Sequence, residues 1–257
     1  MKATVDAVSV AAELIRASKY VVAMTGAGMS VESGIPTFRG ADGIWSRHGQ
    51  PSANSYAEWL DDPDAFWSSE RRRRLEPWVV ELREALRHAK PNEGHVALAE
   101  MEATGRVNSV ITQNIDGLHQ DAGSMNVIEI HGSRDKMRCV DCGDRTPRKT
   151  LFIDSPPPPC EECSGRVKFD SVLFGEPIPK DILQAARSES DKAECVIVIG
   201  TSTSVKPAGG LPRIAKANGS KLIEINSSET PLTRSCDAVI RGTAASALPS
   251  LLEQLSA

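Results

Sequence analysis

The sequence lacks any apolar run that could cross a membrane. A spanning helix needs about 18 to 20 consecutive apolar residues, and no such run occurs in the 257 residues. The first residues also lack the basic start and unbroken apolar stretch of a secretory signal, because Asp6 and Glu13 interrupt a helical pattern. We therefore expect a cytoplasmic protein with no membrane contact.

An excess of positive charge is missing as well. The formal net charge is −4 and the isoelectric point is about 5.8, which argues against a surface built for nucleic acid or anionic lipid. The hydrophobic fraction of 40% and the charged fraction of 25% are those of an ordinary globular protein. A chain of 257 residues is long enough to bury one large core. From the net charge we expect no direct nucleic-acid partner.

Common catalytic signatures are absent too. The chain has neither a Gly-x-Ser-x-Gly elbow nor a phosphate loop ending in GK[ST]. The turn Gly26-Ala27-Gly28 lacks the third glycine of a dinucleotide fingerprint, and no convincing acidic residue for the ribose follows it. This turn alone leaves open whether it binds a nucleotide or only connects a strand to a helix.

Short β-branched runs that stop at small or polar residues predict buried parallel strands. They are YVVAMTGAG, RVNSVITQN, NVIEIHG, CVIVIGTS and KLIEIN. Helical patterns occur over residues 4–18 and in WVVELREALRHA and HVALAEMEA. This alternation predicts an α/β fold with an open, doubly wound, mostly parallel Rossmann-like sheet.

Two segments do not fit this sheet. Residues 40–90 contain no clear strand but do contain the basic run 71–74 and a helix broken by Pro77. Residues 136–168 contain paired cysteines. We expect these insertions to form a smaller lobe with a helical part and a zinc ribbon. The larger lobe would comprise approximately residues 1–39, 91–135 and 169–257.

Four cysteines have the spacing C-x₂-C-x₁₇-C-x₂-C, which is typical of a tetrahedral zinc site. They are Cys139, Cys142, Cys160 and Cys163. Four thiolates leave no ligand position for water, so the one Zn²⁺ would be structural and not catalytic. Cys195 and Cys236 adjoin apolar runs and are expected to be buried packing residues.

Unusual polar residues follow the predicted strands. They occur in residues 25–28, 113–116, 131–132 and 200–202 and at Asn226. Because the carboxyl ends of parallel strands meet at one edge, where ligands bind, we expect these turns to line one crevice. The turn at residues 200–202 offers N–H groups and hydroxyls suited to phosphate, although a structural turn would explain it equally well.

Asn114 and Asp116 alternate, so their side chains share a face if the segment is extended. An amide can match the donor and the acceptor of a carboxamide such as that of nicotinamide. A loop in which both side chains bond their own backbone has the same pattern. The residues alone do not decide between these interpretations.

His131 is a candidate general base, because an unperturbed imidazole titrates near neutrality. A structural role is the alternative for any single histidine. Among the other histidines, which are His48, His88, His95 and His119, we expect His88 to be solvated and His95 to serve packing or the start of a helix.

Together these motifs resemble the sirtuin family of NAD-dependent protein-lysine deacylases. The matching segments are GAGMSVESGIPTFRG (26–40), PNEGHVAL (91–98), TQNIDGLHQDAG (112–123), EIHGS (129–133), the four cysteines, LFGE (173–176), GTSTSVKPAGGLP (200–212) and IN (225–226). No single segment is specific, but the combination is, and it extends over nearly the whole chain.

The resemblance implies that the acyl oxygen of a substrate lysine displaces nicotinamide from NAD, after which His131 deprotonates a ribose hydroxyl. Asn114 and Asp116 would share the catalytic centre, and the products would be nicotinamide, an O-acyl-ADP-ribose and free lysine. The same residues fit a protein ADP-ribosyltransferase. A zinc-ribbon module that binds nucleic acid or protein is a weaker alternative, because residues 139–163 carry more acidic than basic side chains.

The resemblance also implies an NAD-binding set. Gln113 would join Asn114 and Asp116 at the nicotinamide ribose and ring, and Phe38 would shield the reactive ribose. The full set is Gly26, Ala27, Gly28, Val31, Phe38, Arg39, Trp45, Gln113, Asn114, Ile115, Asp116, Gly200, Thr201, Ser202, Asn226, Ser227, Ser228 and Ala244.

The resemblance implies that an acyl-lysine peptide binds as an added strand. The residues implied to contact it are Val172, Phe174, Gly175, Glu176 and Val205, with Arg73 as a further candidate. Members that prefer succinyl or malonyl lysine carry Tyr-x-x-Arg, whereas this chain aligns Glu70 with the tyrosine and Arg73 with the arginine. Glu70 would repel an acidic acyl group, so we expect acetyl-lysine.

Overall fold

A computed structural model describes residues 6–40, 43–73, 76–148 and 157–256, and for residues 70–73 it describes the backbone alone. The strands are β1 (Val21–Thr25), β2 (Ser109–Thr112), β3 (Val127–Glu129), β4 (Lys136–Cys139), β5 (Arg145–Pro147), β6 (Val167–Phe169), β7 (Cys195–Ile199), β8 (Lys221–Asn226) and β9 (Ala238–Arg241). The α-helices are α1 (Ala7–Arg16), α2 (Ile44–His48), α3 (Ser55–Asp61), α4 (Pro63–Arg73), α5 (Pro77–His88), α6 (Glu93–Ala103), α7 (Leu118–Asp121), α8 (Lys180–Lys192), α9 (Leu211–Ala217) and α10 (Ala244–Ser256).

The larger sheet has the order β3-β2-β1-β7-β8-β9, and every neighbouring pair is parallel. Helices α1, α6 and α10 cover one face, and α8 and α9 cover the other. All residues of β1, β2 and β7 are buried, which explains why these strands are continuous apolar runs. The predicted doubly wound α/β fold is confirmed.

Strand order reverses between β1 and β7, because the chain builds β2 and β3 on one side and β8 and β9 on the other. A crevice forms at such a switch point beyond the carboxyl ends of the strands. There the backbones of Gly28 and Gly200 touch, with Gly28 N donating to Gly200 O at 2.8 Å. Gly200 has φ +58°, and a Cβ on it would lie 2.5 Å from the carbonyl carbon of Gly28.

The sequence-based element boundaries were partly wrong. Strand β9 was not predicted, because AVIR is a short edge strand with one partner. The first helix covers Ala7–Arg16, shorter than the predicted 4–18, although residues 1–5 lie outside the described part. The predicted break at Pro77 is confirmed, since α5 starts there with proline in its first turn.

The two insertions contain helices α2 to α5 and an antiparallel sheet of order β5-β4-β6. Trp67 in α4 packs against Phe169 at the end of β6, with 4.8 Å between the ring centroids. Trp59 and Trp67 are both buried. The lobe boundaries given above stay predictions. None of the described helices is long and apolar enough to cross a membrane.

The glycine contact at the switch point gives a stability prediction. Gly200→Ala forces an alanine into the left-handed conformation, which lowers the free energy of unfolding by roughly 1 kcal/mol. It also places a methyl group against the Gly28 backbone. Gly105→Ala is a matched control, because Gly105 has φ +71° and no atom lies within 4 Å of the position that a Cβ would take. We expect urea unfolding to show a clearly larger loss for Gly200→Ala. Equal losses would contradict the close approach.

Candidate active site

Side chains and backbone from four strand ends meet at the switch point. Gly26 N donates to Ile199 O at 3.0 Å, and the Gln113 side chain donates to Thr201 Oγ1 at 2.9 Å. The amide of Asn226 donates to Thr201 O at 3.2 Å. The turns after β1, β2, β7 and β8 therefore form one hydrogen-bonded wall, as the sequence predicted.

Asn114 and Asp116 share a partner, Ser30. The Ser30 hydroxyl donates to Asp116 Oδ2 at 2.7 Å and accepts from Asn114 Nδ2 at 3.1 Å. Asn114 Nδ2 also donates to Gly26 O at 3.1 Å. Both amide hydrogens are thus committed, and Oδ1 is the part of the Asn114 amide available to a ligand.

The Asp116 side chain is buried, whereas the sequence predicted that it contacts a ligand. It is 4% exposed, and its second oxygen accepts from Leu118 N at 3.0 Å, at the start of α7. From this position the carboxylate holds Ser30 and the turn after β2. It shapes the wall of the crevice through neighbouring groups.

His131 is half-buried, two residues beyond the end of β3. Its Nδ1 lies 3.2 Å from the Gln113 carbonyl, which can only accept, so Nδ1 carries the proton and Nε2 keeps its lone pair. Burial lowers the pKa of His131 below 6.5, and the Gln113 hydrogen bond raises it by less. The imidazole is therefore a neutral base at physiological pH.

Two further histidines are buried near Thr25, at the end of β1. The rings of His95 and His119 have centroids 5.0 Å apart, and Thr25 Oγ1 lies 3.0 Å from His119 Nε2. Burial lowers the pKa of His95 to about 4 and that of His119 to about 3. His95 also forms a capping box with Asn92 at the start of α6, which confirms its predicted helix-start role.

Phe38, Trp45 and Phe174 form an aromatic cluster. The Trp45 ring is 5.3 Å from the Phe38 ring and 5.4 Å from the Phe174 ring, measured between centroids. The Arg39 guanidinium is 5.1 Å from the Trp45 centroid. Residues predicted for the cofactor and for the peptide thus contact each other, and Phe38 and Phe174 remain partly exposed at 37% each.

The remaining predicted residues lie around these groups. Ile115 O accepts from Arg134 N at 3.0 Å, Val172 N donates to His131 O at 2.9 Å, and Val205 O accepts from Gly209 N at 2.7 Å. Ala27 is half-buried, Ala244 is buried, and Val31, Ser202, Ser227 and Ser228 are exposed. The side chains of Glu70 and Arg73 lie outside the described part of the chain, so the acyl-chain prediction that depends on them stays untested.

The four predicted zinc ligands converge. Their Sγ atoms all lie within 4.8 Å of one another, with 3.6 Å between Cys139 and Cys163 and 3.7 Å between Cys142 and Cys160. Four converging thiolates fit a closed tetrahedral Zn²⁺ and leave no open position. Cys195 is buried as predicted, and Cys236 is half-buried.

Sequence reasoning missed several supporting residues. Ser30 is 1% exposed and joins Asn114 to Asp116. Arg138 and Asp170 are buried ions near the zinc ligands and the His131 turn. The position of Ser30 inside the glycine-rich segment was a usable signal. Nothing in the local sequence marks Arg138 or Asp170 as buried.

A family model described as the Sir2 family matches residues 26–207 of the chain. Among curated proteins, NAD-dependent protein deacylase 1 of Archaeoglobus fulgidus is 41% identical over 241 residues, covering 94% of this chain and 95% of that protein. NAD-dependent protein deacylase 2 of Pyrobaculum aerophilum is 40% identical over 248 residues, covering 95% and 94%.

Solved structures are similar over the same extent. A Sir2 homologue in complex with ADP-ribose has 39% identity and a TM-score of 0.80, covering 96% of this chain and 95% of that chain. A Sir2 protein with a p53 peptide and NAD⁺ has 34% identity and a TM-score of 0.74, covering 94% and 95%.

The buried histidines predict acid sensitivity. The pKa values of His95, His119 and His131 are lower in the folded protein than the unfolded value of about 6.5. The unfolded state therefore binds more protons below that pH, and stability falls as the pH drops. Each histidine contributes up to about 1.4 kcal/mol per pH unit between its two pKa values.

Urea unfolding between pH 7 and pH 5 measures this effect. His119→Gln should flatten the pH dependence, whereas His88→Gln should not, because the His88 side chain is 76% exposed. An identical slope in both variants would show that buried histidines do not cause the acid sensitivity.

Removal of the metal should unfold the zinc module and leave the parallel sheet folded. We expect a chelator to abolish amide-exchange protection in β4 to β6 and to lower the melting temperature, while β1 and β7 stay protected, because cysteines that have lost the metal take up protons and no longer hold the two turns together. Cys160→Ala should reproduce the loss, and Cys236→Ala should not. A metal-free protein with an unchanged melting temperature would refute the structural role.

Proposed function

This chain belongs to the Sir2 family, and we propose that it removes acyl groups from protein lysine at the expense of NAD. The single observation that carries the proposal is the state of His131. A neutral imidazole with a free Nε2 stands beside the hydrogen-bonded wall of a strand-end crevice. This arrangement suits removal of a proton from a ribose hydroxyl. The relatives' names and their ADP-ribose and NAD⁺ complexes point the same way.

In the proposed reaction NAD is a substrate. Residues 200–202 contact its phosphates and ribose, and Asn226 contacts the adenosine side. Gln113 and Asn114 orient the nicotinamide ribose. The acyl oxygen of the lysine attacks the ribose carbon and nicotinamide leaves. The lysine supplies the nucleophile itself, so the reaction does not require a serine or cysteine elbow.

His131 then takes a proton from a ribose hydroxyl, which attacks the acyl carbon. The lysine amine leaves with a proton, and a water molecule then adds to the acyl carbon and supplies the carbonyl oxygen of the resulting O-acyl-ADP-ribose. Because Nδ1–H is held by the Gln113 carbonyl, the ring cannot present the wrong tautomer. The aromatic cluster of Phe38, Trp45 and Phe174 shields the reactive ribose from water until the acyl oxygen has attacked it.

The peptide is proposed to lie between residues 172–176 and Val205 as an added strand. Acetyl-lysine is the proposed substrate group, on the sequence reasoning given for Glu70 and Arg73. The zinc site supports the smaller lobe, next to residues 172–176 in the sequence, and takes no part in the chemistry. A cytoplasmic location and the absence of a nucleic-acid partner stay predictions from the sequence.

The test is incubation with an acetyl-lysine peptide and NAD. We expect nicotinamide, O-acetyl-ADP-ribose and free lysine in equal amounts, measured by mass spectrometry. His131→Ala should lower the rate by about 10² to 10⁴ while NAD still binds, because a general base contributes that range. His88→Ala is the matched control and should keep full activity.

Two outcomes would overturn the proposal. One is the absence of nicotinamide release with every acyl peptide of a panel. The other is attachment of ADP-ribose to protein in place of acyl transfer, which would identify an ADP-ribosyltransferase. If His131→Ala retained full activity, the base would have to be another residue.

A further inference from the structure

A cluster of buried ions connects the zinc module to the segment proposed to bind the peptide. The side chains of Arg138, Lys168, Asp170 and Glu176 are 6%, 2%, 4% and 2% exposed. None of them enters the chemistry described above. Burying four charges is unfavourable unless each has partners, so the contacts of each side chain indicate what the cluster holds in place.

Glu176 closes the turn that carries Phe174 and Gly175. One carboxylate oxygen pairs with Arg138 Nη2. The other accepts from Leu173 N at 2.8 Å and lies 3.0 Å from Lys168 Nζ. Because Glu176 N also donates to Leu173 O at 3.0 Å, the carboxylate and the backbone together fix the shape of this turn.

Lys168 ties down the next stretch of the same segment. Its Nζ donates to Phe169 O at 2.6 Å and to Ser171 O at 2.8 Å. The ammonium group therefore holds the backbone between β6 and the Glu176 turn.

Asp170 reaches the other side of the active site. Its Oδ1 accepts from Arg138 Nε at 3.1 Å, and its Oδ2 accepts from Ser133 N at 3.0 Å. Gly132, between His131 and Ser133, has φ +78° and packs its α-carbon directly against the backbone of Asp170. The turn that positions His131 is thus anchored to the same cluster.

Arg138 joins the two carboxylates and adjoins a zinc ligand. It is in β4 next to Cys139, and it contacts Asp170 with Nε and Glu176 with Nη2. Arg145 in β5 also donates to Asp170, at 3.2 Å, but is 23% exposed. Among the described residues, Arg138 is the cation that bridges Asp170 and Glu176.

We propose that Arg138 is a positioning residue that couples zinc binding to binding of the acyl-lysine peptide. Zinc fixes the position of Cys139 and therefore of Arg138, its neighbour in β4. Arg138 in turn fixes the Glu176 side chain directly and the His131 turn through Asp170. The inference rests on the proposed function. Coupling of this kind is reciprocal, so peptide binding must also tighten zinc binding.

The first measurement compares the KM for the peptide with the KM for NAD. Arg138→Gln should raise the KM for a short acetyl-lysine peptide about tenfold or more, because it leaves two buried carboxylates without their shared cation. The KM for NAD should change less than about twofold, since the NAD wall is built from other turns. Arg166→Gln is the matched control: Arg166 is exposed on the same module and belongs to a separate contact with Trp59.

The second measurement tests reciprocity in the intact protein. Zinc affinity is measured by competition with a coloured chelator, with and without a saturating acetyl-lysine peptide and ADP-ribose. In the natural protein and in Arg166→Gln, peptide should tighten zinc at least about fivefold. In Arg138→Gln this ratio should fall to about one. If that variant does not fold, Arg138→Lys, which keeps the charge but loses the two-pronged contact, should show a reduced ratio.

The inference is overturned if Arg138→Gln, or Arg138→Lys in its place, keeps the natural ratio. It is also overturned if the KM values for peptide and NAD rise together, or if Arg166→Gln loses the coupling equally. Failure of the proposed function is a different result, because the natural protein would then release no nicotinamide from NAD with any acyl peptide.

Discussion

The contact between the Gly28 and Gly200 backbones is the constraint on which the rest of the site depends. It joins the two halves of the parallel sheet at the point where strand order reverses. No side chain fits between these backbones, and the N–H groups of Gly26, Gly28 and Gly200 all donate to backbone carbonyls of neighbouring strands and turns. The polar side chains of the neighbouring turns then build outward from this contact.

Burial gives the polar groups of the site their chemical character. The same loss of solvent that keeps His131 neutral also requires Asp116, Asp170 and Glu176 to have partners. Each of these carboxylates accepts hydrogen bonds from backbone N–H groups or neighbouring side chains, so the site is held in one arrangement before any substrate binds. Preorganised polar groups of this kind stabilise developing charge without having to reorient during the reaction.

The sequence predicted the parallel sheet and the convergence of its strand ends because both follow from local patterns. Buried strands are continuous apolar runs, and small or polar residues stop them. It could not predict β9, whose four residues carry little pattern, nor the depth of Asp116, which depends on its contact with Ser30. Arg138 and Lys168 look like ordinary charged residues, and they become buried only when β4 and β6 pair. Such positions are set by tertiary contacts and leave no local signal.

The most direct test of the proposed reaction is to follow the carbonyl oxygen of the acetyl group. A peptide labelled with ¹⁸O in the acetyl carbonyl is turned over with NAD, and the products are analysed by mass spectrometry. If the acyl oxygen attacks the ribose carbon, the label moves to the ADP-ribose portion of O-acetyl-ADP-ribose, because this oxygen forms the new bond to the ribose. Release of the label in free acetate, or its retention in the peptide while nicotinamide is released, would contradict it.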